Sequence, residues 1–157
     1  MTEPDFQALY DDFKQLDSTK QSLLKRAVSP EDLLEIPAFY DLYRRHLKQP
    51  EQRAGLLRLI FCLPFVKHQT GGRSLGAALS EKGPNGRAKI GEKRVIQISR
   101  IENKMQSMSQ LRRLLKHAEP TLDWIKAGKS IWYWGTNSRR QLLEEYFLSL
   151  PPKTNSK

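Results

Sequence analysis

The chain has 157 residues, 38% of them hydrophobic and 28% charged, which is enough apolar material for a folded core and argues against intrinsic disorder. Its one cysteine, Cys62, excludes an internal disulfide, and no apolar run nears the roughly 18 residues that a membrane span needs. The acidic start, with Glu3 and Asp5, is unlike a secretory signal peptide. We therefore expect a soluble intracellular protein that does not span a membrane.

The net charge of the chain lies entirely in its second half. There are 27 Lys and Arg against 17 Asp and Glu, a formal charge of +10. Residues 1–69 contain 10 basic and 10 acidic residues, whereas residues 70–157 contain 17 and 7. Like charges repel one another in a folded protein, so such an excess usually serves a polyanionic partner. Nucleic acid is the first candidate and an acidic membrane surface the second.

Helical patterns fill the first half. Apolar residues at three- and four-residue spacing over residues 6–16 predict an amphipathic helix. Ser29 before Pro30 predicts a second helix start, and Pro37 predicts another. Residues 56–65 leave almost no polar face, which is typical of a helix buried on all sides. We expect this last segment to be the central helix of the core.

The second half begins with two irregular regions, residues 67–73 and 81–91, the latter rich in glycine. Three further helices are predicted over residues 91–105, 107–118 and 138–148. The β-branched alternation of residues 94–99 also fits a strand.

The predicted fold class is therefore all-α, a compact bundle of about eight or nine helices. We expect residues 1–150 to form a single domain of two small lobes, with the boundary near residues 67–91. Residues 151–157 read as a polar C-terminal tail.

Cations of the second half lie opposite the apolar stripes of its predicted helices. Ser107 and Gln110 fit a capping box that starts one of them. Arg139 and Arg140 fall in a predicted first helical turn, where the helix dipole disfavours cations, which suggests an external partner for them. Few acidic residues are available to offset these charges. The candidate nucleic-acid-binding residues are Lys25, Arg26, Lys93, Arg94, Arg100, Arg112, Arg113, Lys116, Arg139 and Arg140.

Catalytic and metal-binding patterns are weak. Residues 72–76 match the G-x-S-x-G pattern of a hydrolase, but no His follows Asp123, so a helix N-cap at Ser74 is the better interpretation. The histidines and Cys62 lack metal-ligand spacing. Of the aromatic cluster, Trp124, Trp132, Tyr133 and Trp134, most rings are expected to pack in the core rather than stack on bases. We expect no catalytic residue, metal, cofactor or small-molecule substrate.

Several short sequence motifs of the chain resemble those of one protein family. These are IPAFY at residues 36–40, LLRLIFCL at 56–63, SLG at 74–76, QLRRLLKHAEP at 110–120 with LDW at 122–124, WG at 134–135 and QLLE at 141–144. They occur in order along most of the chain and resemble the CasB family, the small subunit of the type I-E CRISPR complex Cascade.

This resemblance implies a non-catalytic, all-α subunit of the prokaryotic cytoplasm that takes part in antiviral defence. It implies sequence-independent binding to guide RNA and both strands of target DNA, stabilising the heteroduplex and the displaced strand of the R-loop. Implied protein partners are other Cascade subunits and a second copy of the chain, and no membrane partner is implied. The family's basic positions fall on Arg26, Arg94, Arg100 and Arg113. The chain has Thr136 and the following Asn where the family has a basic pair, and its loop before Ser74 is shorter.

Two other classes stay open. The first is a helix-turn-helix regulator that reads duplex DNA with residues 107–118. The second is an assembly module whose basic face meets an acidic protein.

Overall fold

The computed structural model describes residues 2–150; the predicted polar tail, residues 151–157, lies outside them. Helices make up most of this part of the chain, which confirms the all-α prediction. The α-helices are α1 Phe6–Gln15, α2 Ser18–Lys25, α3 Pro37–His46, α4 Arg53–Cys62, α5 Leu75–Leu79, α6 Glu92–Ser99, α7 Lys104–Ala118, α8 Trp124–Trp132 and α9 Thr136–Ser149. Short 3-10 helices occupy Pro30–Glu35, Pro50–Gln52 and Leu63–Phe65. Two parallel two-residue strands, β1 Lys67–His68 and β2 Thr121–Leu122, join the halves of the chain.

Helix α4 is the centre of the core, as its apolar sequence predicts. Every residue of it from Gly55 to Cys62 is buried. It packs against α3, α7 and α8, and a Cβ on Gly55 would meet the ring of Trp132. A helix that is apolar on all sides loses the most surface to water when it is buried in this way. Each square ångström of apolar surface that is buried stabilises the fold by about 25 cal/mol. The tryptophans of the predicted aromatic cluster are also buried, so the packing interpretation is confirmed for them, while Tyr133 is half exposed.

Helix starts in the first half follow the local signals. Pro37 is the first residue of α3, as predicted. Ser29 and Pro30 also mark a start, but the helix there is of the 3-10 type. The side chain of Asp32 accepts the N–H groups of Val28 and Ser29 at 3.0 and 3.1 Å, and these hydrogen bonds lower the pKa of its carboxyl group.

The predicted helix over residues 91–105 is two helices. Helix α6 ends at Ser99, with Arg100 as its C-cap, and α7 begins at Lys104. The N-cap of α7 is Asn103, whose side chain accepts the N–H of Gln106 at 3.0 Å. A capping box starting at Ser107 is therefore wrong. The strand alternative for residues 94–99 is wrong as well, because they lie in α6.

Helices α5 and α9 form the closest helix pair of the second half. The Ser74 hydroxyl accepts the N–H of Ala77 at 3.4 Å at the start of α5, which confirms the N-cap interpretation. Gly76 is helical rather than part of a turn, and a Cβ there would stand 2.7 Å from Cβ of Glu145. The boundary between two lobes near residues 67–91 stays a prediction. In the described part of the chain, every helix is too short or too polar to span a lipid bilayer.

Candidate nucleic-acid interface

The structure separates the ten predicted binding residues into two classes. Eight are exposed side chains, and two, Arg112 and Arg139, are buried with 9% and 8% of their surface accessible. The exposed residues are Lys25, Arg26, Lys93, Arg94, Arg100, Arg113, Lys116 and Arg140. Only these eight are available to a large partner without a change in the fold.

Arg112 holds two helices together. Its Nη2 donates a hydrogen bond of 2.7 Å to the carbonyl oxygen of Lys25, the last residue of α2. The guanidinium carbon lies 5.3 Å from the ring centre of Phe61 and 5.0 Å from that of Phe65. The prediction that Arg112 lies on an exposed face opposite the apolar stripe of α7 is therefore wrong, and its contact with nucleic acid stays a prediction. The residue is at the edge of the apolar stripe of α7, and the end of α2 lies over it.

Arg139 binds the C-terminal end of helix α6. Its Nη1 donates to the carbonyl oxygens of Ser99 and Ile101 at 3.1 and 2.9 Å, and its Nε donates to that of Gly135 at 3.2 Å. Arg139 is therefore a structural residue rather than an exposed phosphate contact. Helix α9 begins at Thr136 rather than at Ser138, so Arg139 is its fourth residue, at the end of the first turn. The helix dipole was the reason to expect an external partner for Arg139, but its guanidinium binds the end of α6 instead.

A third buried arginine, Arg58, was missed as a functional candidate. It lies in the middle of α4 with 6% of its surface exposed. Its Nε and Nη2 donate to the carbonyl oxygens of Ile131 and Trp132 at 3.0 and 2.7 Å, at the end of α8. The sequence does contain a signal for Arg58, because it is the only charged residue between residues 54 and 66. All three buried arginines thus bind carbonyl groups at or just beyond the C-terminal end of a helix, where intrahelical donors run out.

The buried arginines have no anionic partner in residues 2–150, since none of the ion pairs there includes them. Burial lowers the pKa values of Arg58 and Arg112, but arginine stays protonated in proteins. Burial also raises the pKa of the Cys62 thiol to about 12, so this neighbouring group is neutral and does not offset their charge. Hydrogen bonds to carbonyl groups and aromatic rings stabilise these cations instead.

Cys62 should accordingly be unreactive in the native protein. The thiolate is the nucleophile, and at pH 8 a group with a pKa of about 12 is almost wholly protonated as well as buried. We expect iodoacetamide to leave the native chain unmodified and to alkylate Cys62 in urea, as measured by intact mass. Alkylation of the native chain at the rate of an exposed cysteine peptide would contradict this burial.

The structure brings two predicted residues, Lys25 and Lys116, to one groove. Lys14 of α1 and Lys67 of β1, which the sequence did not indicate, line it as well. The groove encloses about 310 Å³. We refer to Lys14, Lys25, Lys67 and Lys116 as the lysine groove. Its members are up to 102 residues apart in the chain (116 − 14), so only tertiary structure places them together.

The remaining exposed cations belong to α6, α7 and α9. Arg94 lines a second cleft, of about 210 Å³, between α6 and α7, together with Gln97 and Gln110. Arg113 is on the outer surface of α7, next to buried Arg112. Arg100 lies between the two carbonyl groups that Arg139 binds. Arg139 therefore fixes the α6 end from which Arg100 projects.

Comparisons with known proteins agree with the sequence resemblance. No protein-family model matches the chain. It is 39% identical over 158 aligned residues to the CRISPR system Cascade subunit CasB of Escherichia coli (strain K12), an alignment that covers 94% of this chain and 95% of that protein. The chain belongs to the CasB family. A crystal structure of E. coli Cascade bound to a PAM-containing double-stranded DNA target holds a chain with the same fold, with a TM-score of 0.85, 39% identity and coverage of 94% of this chain and 97% of that chain.

Few carboxylates oppose the exposed cations of this CasB family member. Two ion pairs in residues 2–150 lie in the first half, Arg45 with Asp12 and Lys20 with Asp41, and a hydrogen bond of 2.7 Å joins Asp12 to His46. The remaining pair of Lys and Glu joins a second-half cation, Lys89, to Glu81 at 3.8 Å. Within the described residues, the exposed candidates form no ion pair at all. Their charge is therefore available to a polyanion.

Proposed function

We propose that this CasB family member is a non-catalytic subunit of a Cascade complex and binds nucleic acid without reading its sequence. In this function it stabilises the heteroduplex of guide RNA and target DNA together with the displaced strand of the R-loop. The observation that carries the proposal is the set of eight exposed cations that make no ion pair within residues 2–150. Membership of the family supports it, since the E. coli relative is a Cascade subunit.

The energetics suit such a role. Exchange of a DNA duplex for an RNA–DNA heteroduplex is close to balanced, so contacts of modest strength can shift it. Each phosphate that a lysine or arginine neutralises releases condensed counterions, which gives affinity without base recognition. Arginines such as Arg94, Arg100 and Arg113 can bind two oxygens of one phosphate.

The proposal includes a cytoplasmic location and two kinds of protein partner, other Cascade subunits and a second copy of the chain. The neutral first half suits protein contacts better than the basic half, because a surface without net charge is not repelled by a basic protein surface.

A titration distinguishes this proposal from its rivals. The purified chain is mixed with labelled single-stranded DNA, duplex DNA and RNA at about 50 mM and about 200 mM salt. We expect salt-sensitive binding that does not depend on base sequence. Preference for one duplex sequence would favour a helix-turn-helix regulator, and an absence of binding to every probe would favour an assembly module.

Charge reversal at Arg94, Arg100 and Arg113 should weaken binding to single-stranded DNA at least about tenfold and reduce the slope of log K against log salt by about 2. Each lost phosphate contact removes about 0.7 from that slope. The matched control reverses three exposed first-half cations, Arg44→Glu, Lys48→Glu and Arg53→Glu. Equal losses in the two triple variants would show a general charge effect and contradict the proposed interface.

A further inference from the structure

The lysine groove is a concentration of like charge that the fold itself builds. Lys14, Lys25, Lys67 and Lys116 come from four separate elements, α1, α2, β1 and α7. Apolar side chains, among them Phe13 and Phe65, and the backbone near Pro64 complete its lining. Four lysine side chains line about 310 Å³, and like charges held this close repel one another, which favours the binding of an anion.

Little within the described residues offsets these charges. Glu119 is the only carboxylate that lines the groove, and none of the four lysines forms an ion pair in residues 2–150. The ammonium of Lys14 is 6.0 Å from the ring centre of Tyr10, a weak interaction at an exposed position.

Arg112 adds a fifth positive charge next to the groove. It stacks against Phe65, one of the lining residues, and its hydrogen bond to the Lys25 carbonyl fixes the end of α2. Its Nε is buried and has no hydrogen-bond partner among the described residues. A guanidinium held in this way adds a fixed positive field to the more mobile ammonium groups of the lysines.

We propose that the lysine groove binds the phosphodiester backbone of a single strand of nucleic acid, with Lys14 and Lys67 as contacts additional to those predicted from sequence. A flexible strand can follow a narrow concave groove, and a positively charged groove is the common means of binding a single strand irrespective of sequence. A duplex is stiff and convex, so it reaches the rim of such a groove better than its floor. This inference rests on the proposed function and extends it to a second surface.

The test replaces lysines by glutamine, which keeps their size and polarity and removes their charge. The variant Lys14→Gln, Lys67→Gln, Lys116→Gln is titrated against a fluorescein-labelled oligo(dT) by anisotropy at about 50 mM and about 200 mM salt. We expect at least about tenfold weaker binding at the lower salt and a slope reduced by about 2. The control, Arg44→Gln, Lys48→Gln, Arg53→Gln, should bind as the wild type does. All six positions are exposed, so circular dichroism should show unchanged folding.

The outcomes separate the two proposals. If the groove variant binds oligo(dT) as tightly as the wild type, while charge reversal at Arg94, Arg100 and Arg113 abolishes binding, the groove inference is wrong and the proposed function stands. If the wild-type chain binds no probe, the proposed function fails and the groove inference fails with it. A duplex of the same length should lose less affinity than oligo(dT) in the groove variant. An equal or larger loss for the duplex would overturn the assignment to a single strand.

Discussion

Replacing Arg58 by methionine should lower the free energy of unfolding by about 3 kcal/mol. Arg58 is the one polar side chain in the buried middle of α4, and it donates to the carbonyl oxygens of Ile131 and Trp132. Methionine fills a similar volume, so the change removes hydrogen bonds without opening a large cavity. The Trp132 carbonyl is then left without a donor, which costs about 1–3 kcal/mol, whereas the Ile131 carbonyl loses a charged donor but keeps the Trp134 N–H at 3.3 Å. The relief of burying one charge fewer offsets part of that sum.

The measurement is equilibrium unfolding in urea, with the midpoint and the slope both recorded. Arg53→Met is the matched control, because Arg53 begins the same helix and is exposed, so a change below about 0.5 kcal/mol is expected. Arg58→Lys should fall between wild type and Arg58→Met, since a single ammonium cannot reproduce the two-armed geometry of the guanidinium. A methionine variant as stable as the wild type would show that α8 does not need this cap.

Gly76→Ala should destabilise the protein by about 3 kcal/mol, although alanine is the better helix former. Propensity alone would stabilise α5 by about 1 kcal/mol. However, a Cβ at Gly76 would meet the carbonyl oxygen of Leu142 and stand 3.0 Å from the backbone nitrogen of Tyr146. These are backbone atoms of α9, so no side-chain rotation can make room. The two helices must separate, and the hydrogen bond from the Gly76 N–H to Glu145 is lost with them.

Thermal unfolding followed by circular dichroism tests this expectation. Gly91→Ala is the control, because no atom lies within 4 Å of the position its Cβ would take and the backbone φ of −72° suits any residue. We expect the control to change stability by less than about 1 kcal/mol. If Gly76→Ala raised the melting temperature, helix propensity would outweigh close packing at this crossing.

Much of the fold could be predicted because local patterns and global packing agree. The apolar run of α4 predicts a buried helix, and α4 is buried on every side. Pro37 predicts the first residue of α3 for a reason that involves only its own ring, a fixed φ and a missing N–H. Ser74 is an N-cap for an equally local reason. Such features depend on neighbours in the chain, so they can be read without knowing the fold.

The errors have a common cause. The apolar periodicity of residues 91–105 continues across the break between α6 and α7, and the carbonyl groups at that break are bound by Arg139, almost 40 residues away. Arg112 lies at the edge of a stripe where a helical wheel cannot tell exposed from covered, and α2 decides which it is. In both cases an arginine that looked available to phosphate instead binds carbonyl groups of a distant helix end.

Composition, periodicity and short motifs are properties of neighbouring residues. They are therefore sufficient to predict the helical class, the central helix, the confinement of the excess positive charge to residues 70–157 and the family. Which cations face solvent depends on tertiary packing. Arg58, Arg112 and Arg139 donate hydrogen bonds to carbonyl groups near the ends of other helices. In contrast, the four members of the lysine groove come from elements far apart in the chain. The exposure of a side chain and its distance from other side chains are set by which helices pack together, and that packing depends on contacts between residues far apart in the sequence.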